Sequence, residues 1–143
     1  MKKNVMIAVI LLALGLAALG TAKYLIDRDW HKPLNEVYGN FIGLSGMTLE
    51  QLDDRASIGV TTVTDDSSLA EFVELLKSTR KTLAYSVNDD SGKKSYLRID
   101  LDCEPGRIFL YADGDAHYME IPYEGVWRLD SEVATAIYAI YTR

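Results

Sequence analysis

The sequence predicts an α+β architecture: an N-terminal transmembrane helix, then a small domain with an antiparallel sheet covered on one face by two helices. Three observations lead there. A long uncharged run separates Lys3 from Lys23, and most of its residues are Leu, Ile, Val or Ala. Two later segments repeat their apolar residues every three to four positions, as amphipathic helices do. Around them, short stretches alternate apolar and polar residues and end in turn signals, as strands do. The expected division is a signal-anchor or transmembrane segment over 1–27, a juxtamembrane connector over 28–56 and an α+β domain over 57–143.

The uncharged run holds nineteen residues. At 1.5 Å per residue such a helix spans roughly 28 Å, close to the ~30 Å hydrocarbon core of a bilayer. Lys2 and Lys3 precede it, which puts the N-terminus on the cytoplasmic side and the domain outside the cytoplasm at the cell membrane. The run exceeds the usual core of a cleaved signal peptide, so a retained single-pass anchor is expected. The alternative is secretion after cleavage near Ala22, where Gly20-Thr21-Ala22 supplies small residues. No cysteine follows the run to accept a lipid.

In the connector, Pro33 opens a short helix with Leu34, Val37, Tyr38, Phe41 and Ile42 on one face, ending near Gly43. Thr48 and Gln51 have capping-box spacing. Ile58 to Val63 is rich in β-branched residues and reads as a strand. Ser68 and Glu71 then form a capping box for a helix whose Leu69, Phe72, Val73 and Leu76 share a face. Thr82-Leu-Ala-Tyr-Ser-Val87 reads as a strand and Asn88 to Gly92 as a turn-rich loop. Leu97, Ile99, Leu101 and Cys103 alternate with Arg98, Asp100 and Asp102. Strands are then expected over 107–111, 116–121 and 126–129, with turns at Pro105-Gly106 and Asp113-Gly114. Asp130 or Ser131 caps a last helix that buries Val133, Ile137, Ile140 and Tyr141.

Charge narrows the function classes. Residues 23–143 hold 13 basic against 21 acidic side chains, a charge of −8. That acidity repels phosphate backbones and anionic headgroups, so nucleic acid is not an expected partner. Cys103 is the only cysteine, so no disulfide forms within the chain, and its place among apolar residues reads as burial rather than nucleophilicity. Neither His31 nor His117 lies in a zinc-ligand spacing, and no metal or cofactor is expected. Asp113, Asp115, Glu120 and Glu124 lack EF-hand spacing and read as turn and solvent-face acids. Asp100 and Asp102 lie about 7 Å apart on one strand face, a compatible pair for acid–base work on a glycan, but any alternating solvent face produces that spacing.

The most distinctive stretch is Glu120-Ile-Pro-Tyr-Glu-Gly-Val-Trp127. Pro122 ends a strand, Tyr123-Glu124-Gly125 turns, with Gly125 expected to supply a special backbone shape, and Trp127 starts the next strand. Tyr96, Tyr111, Tyr118 and Tyr123 fall in the sheet region; they suit either an exposed ring-rich surface for peptide or glycan contact or structural pairs across strands. Together with Ser86-Val87-Asn88-Asp89 and the closing helix, the corner resembles a family of short exported domains of unknown function from Gram-positive bacteria. Val126-Trp127 departs mildly from the Ile-Tyr expected there. The resemblance implies an accessory or sensing role beside a membrane metallopeptidase or regulator, and no catalytic mechanism. The expected function is therefore a membrane-anchored, non-catalytic binding domain. It would meet a protein or peptide at the cell surface through Asn88, Asp89, Tyr118, Glu120, Tyr123 and Glu124. The alternative is a cell-wall enzyme using the acidic pair.

Overall fold

The computed structural model describes residues 10–23, 32–87 and 89–143. The chain divides into two units, Met1–His31 and Lys32–Arg143. In the first, residues 10–23 form a helix, α1. At 1.5 Å per residue its described part is about 21 Å long, short of the ~30 Å that a bilayer core demands. Among the described residues no helix is long and apolar enough to cross a membrane. This corrects the expected transmembrane helix; residues 4–9 of that span, with Lys2 and Lys3, lie outside the described residues.

The second unit corrects the rest of the expected fold class, because it is mostly sheet. Seven strands form one antiparallel sheet: β1 (Met47–Asp53), β2 (Ala56–Val63), β3 (Arg80–Lys81), β4 (Ser95–Leu101), β5 (Arg107–Asp113), β6 (Ala116–Ile121) and β7 (Gly125–Leu129). Their spatial order is β2-β1-β4-β5-β6-β7-β3. Three short helices accompany them: α2 (Leu34–Val37), α3 (Asp66–Leu75), extended by one 3-10 turn over Leu76–Ser78, and α4 (Ser131–Tyr141).

Residues 32–56, assigned from the sequence to a connector, belong to this unit. Strand β1 lies inside the sheet, paired Leu49↔Thr61 with β2 and Leu49↔Ile99 with β4. Its alternation is broken because Leu49 and Leu52 are buried on opposite faces, so the pattern did not read as a strand. The helix expected from Pro33 is a single turn, with Leu34 and Phe41 buried but Ile42 exposed. Asp65, not Ser68, caps α3: its carboxylate accepts from Ser68 N at 2.8 Å. Asp130 is the N-cap residue of α4, although its side chain makes no capping hydrogen bond.

Period-2 alternation gives the sheet two different faces. One carries Leu49, Leu97, Ile99, Ile108, Leu110, Met119 and Trp127, packed against Phe72 of α3 and Ile137 and Ile140 of α4. Helix α4 is tied to β2 by Thr61 Oγ1, which donates to the Tyr141 carbonyl at 2.7 Å. Gly59 in β2 leaves the Tyr141 hydroxyl room that a Cβ would fill. The second face carries a separate cluster of Leu52, Tyr96, Phe109 and Tyr111. Connectivity explains what lies over each. The α3 segment takes the chain from β2 at one edge to β3 at the other, across the aliphatic face. Residues 82–87 and 89–94 then lie across the aromatic face on the way back to β4. The strand expected over 82–87 is this strap, of which only the preceding Arg80 and Lys81 pair in the sheet.

Candidate functional site

The strap starts at the edge of β7, where Thr82 N donates to the Val126 carbonyl at 2.8 Å and Thr82 Oγ1 donates to it at 2.9 Å. Four residues on, Ser86 turns inward and donates its hydroxyl to Glu120 Oε1 at 2.6 Å. Both side chains are buried, and the Tyr111 phenol lies close to Glu120. Burial first, and the Glu120 carboxylate second, push the Tyr111 phenol well above its ordinary value. Further along, Lys93 pairs with Asp113 at 2.7 Å and lies over the Tyr111 ring at 5.2 Å. Asp90 faces Arg55 at 3.7 Å, and Lys94 faces Asp54 at 3.3 Å.

The strap inverts the expected facing of a buried strand. Its polar Ser86 points in, while Leu83, Tyr85 and Val87 point out with 76%, 66% and 64% of their surface exposed. Beside its start is a cleft of about 310 Å³ lined by Thr82, Ala84, Tyr111, Asp113, Tyr118 and Val126. The Tyr111 and Tyr118 rings stand 5.9 Å apart there. A larger hollow of about 480 Å³ touches none of the binding residues expected from the sequence, and its Glu74 and Lys77 pair with each other.

The corner after β6 is a β-turn closed by Glu124 N donating to the Ile121 carbonyl at 3.1 Å. Pro122 holds its first central position and Tyr123 its second, with φ +64°. That is the left-handed slot of a type II turn, where glycine or asparagine is usual. Tyr123 is 53% exposed, and its phenol lies close to the Asp89 carboxylate, which raises the phenol's pKa. Gly125 has no positive φ and answers a different need. A Cβ there would meet Lys81 Cε at 3.3 Å and the Trp127 ring at 3.4 Å.

The structure thus gathers Asp89, Glu120 and Tyr123 around the strap and puts Tyr118 in the adjoining cleft. Glu124 points elsewhere and accepts the phenol of Tyr38 after α2. Asn88 lies outside the described residues. Of the two readings of the sheet tyrosines, structural pairing across strands describes Tyr96 and Tyr111, which are buried against Phe109 and Tyr118 respectively, whereas Tyr123 is exposed. Sequence reasoning missed Ser86, Lys93 and the outward row of Leu83, Tyr85 and Val87. Their period-2 spacing was readable, but the side of the strand that faces solvent was not.

The two acids of the alternative reading each have their own partners. Asp100 sits between Arg98 at 3.0 Å and Arg107 at 2.5 Å. Asp102 accepts from Ser45 Oγ at 2.5 Å and Ser45 N at 3.0 Å, which holds its carboxyl below the usual range. A glycan-protonating acid needs its pKa moved the other way. Burial pushes the Cys103 thiol up, which disfavours the thiolate. Among the described residues no three His, Cys, Asp or Glu side chains gather as metal ligands do.

The DUF5301 family model, described as "Domain of unknown function (DUF5300)", matches residues 41–128. An NMR structure of a protein from Ruminococcus gnavus is similar over 62% of this chain and 88% of its own, with 19% identity and a TM-score of 0.48. No curated protein matches the chain.

Proposed function

We propose, from the premise that the chain belongs to the DUF5301 family of domains of unknown function, that its Lys32–Arg143 unit is a non-catalytic binding module acting outside the cytoplasm. It meets a protein or peptide through the strap and the corner beside it. Lys2 and Lys3 ahead of the uncharged run supply an export address, and the lone cysteine suits a Gram-positive surface. The partner is an exposed segment of a membrane metallopeptidase or its regulator. The observation that carries this reading is Tyr123. A bulky ring occupies a left-handed turn position at a cost of about 1–2 kcal/mol, and stands half exposed with its phenol close to Asp89 of the strap. Fold stability favours glycine there, whereas a contact surface favours tyrosine, which offers large area at low entropy cost.

The test separates the two demands. Tyr123→Gly relieves the backbone but loosens the unfolded chain, so its stability stays within about 1 kcal/mol of the parent in denaturant unfolding. The same variant, and Tyr85→Ser on the strap, lose the partner that the parent captures from an envelope fraction. Undiminished capture by both variants refutes the reading.

A further inference from the structure

The sheet has two edges, and they differ. The β3 edge is two residues long and made of Arg80 and Lys81, brevity and charge being common protections against strand addition. The β2 edge is eight residues long, and Ala56-Ser-Ile-Gly-Val-Thr-Thr-Val63 contains no charge and no proline. Among the described residues no strand covers its outer side. Ile58 and Val60 are 65% and 59% exposed. Its only irregularity is a register shift where β1 passes from Gln51 to Leu52.

Charge at the two ends decides what fits. At the hairpin end, Asp54 pairs with Lys94 and Arg55 with Asp90, which leaves Asp53 as the excess. At the other end stand Asp65 and Asp66, neither in a salt bridge among the described residues, while Arg143, paired with Glu71, also acts on Asp65; hydrogen bonds from Ser67 and Ser68 keep the Asp65 carboxyl below its usual range. A second copy pairing antiparallel through β2 would set these acids against the partner's Asp53-Asp54 turn. Like charges there oppose self-association.

We propose that the open edge of β2 accepts an extended peptide as an added antiparallel strand, with an uncharged β-branched centre and basic residues at its N-terminal end. Antiparallel addition continues the pattern of the sheet and brings that end beside Asp65 and Asp66. This surface is independent of the strap and stands whether or not the strap binds a partner.

The full chain, labelled for amide NMR, is titrated with an N-acetylated Thr-Val repeat peptide opened by Arg-Lys and with a twin opened by Glu-Glu. The basic peptide shifts the amides of Ala56 to Val63 saturably and binds about fivefold more tightly, a difference that raised salt erases. Asp66→Lys, on an exposed side chain, reverses the preference. Equal binding of the twins, shifts confined to residues 82–94, or no shift in β2 overturns the proposal. So does a concentration-dependent dimer in sedimentation, which would put a second copy on this edge.

Discussion

Tyr123 and Gly125 sit two positions apart and divide what the sequence assigned to one residue. The special backbone belongs to Tyr123, while Gly125 supplies space beneath Lys81, whose ammonium lies 5.1 Å from the Trp127 ring centroid. Gly125→Val is therefore expected to destabilise by about 1–3 kcal/mol through overpacking, because Trp127 is fully buried and cannot retreat. Denaturant unfolding measures this, and Gly125→Ala should cost less than Gly125→Val. An unchanged valine variant would mean that the Lys81 stem moves aside freely. Glu124, expected to be simply solvated, is exposed yet accepts the Tyr38 phenol. Burial first, then Glu124, push that phenol's pKa far up, so Glu124→Gln keeps an acceptor in place and should alter the melting temperature little.

At the scale of elements, the strap is the least regular part of the unit and the one that covers the aromatic face. It is held by side chains rather than by a ladder, and Ser86 is its central pin. Removing a buried donor to a carboxylate costs about 1–3 kcal/mol. Ser86→Ala should lower stability by that amount. Amide exchange should rise in residues 82–94 more than in β5 and β6, which keep their cross-strand pairs. Uniform loss of protection would instead make the strap and the sheet a single cooperative unit. The strap's composition reads as strand, but past Lys81 none of its described residues pairs in the sheet. Its neighbours differ from those expected, because past Lys81 the chain leaves the β7 edge and crosses the face.

For the whole molecule, the perturbed groups set a window of pH. Asp65, Glu71 and Asp102 are held below their ordinary range by Ser67, Arg143 and Ser45 respectively. Each binds its proton more weakly folded than unfolded. The stability they add is present above about pH 4 and drains as pH falls below it. Tyr38, Tyr96, Tyr111 and Tyr138 are shifted upward, burial being the first cause in each. Their contribution is complete below about pH 10 and is lost as pH rises beyond it. Melting temperature against pH should show a plateau from about pH 5 to 9 with a fall on each side. Asp102→Asn should shallow the acid limb and leave the alkaline limb alone.

The strands β5 and β6 and the helices α3 and α4 were legible in the sequence, because each writes its period and its turns or caps into neighbouring residues. The corner at Pro122 was legible for the same reason, since proline cannot donate to a ladder. Four features were decided only by tertiary structure. Strand β1 alternates imperfectly because one of its leucines belongs to a second core under the strap. The segment 82–87 has strand chemistry, but after Thr82 bonds the Val126 carbonyl it leaves the β7 edge. The contacts of Ser86 with Glu120 and of Asp89 with Tyr123 join residues more than thirty positions apart. The contrast between the β2 and β3 edges appears only once strand order is known. Local periodicity reports which way a side chain faces relative to its neighbours in the chain. Which of the two sheet faces is covered, by which segment, and which edge stays open depend on contacts made across the fold, and no local pattern encodes them.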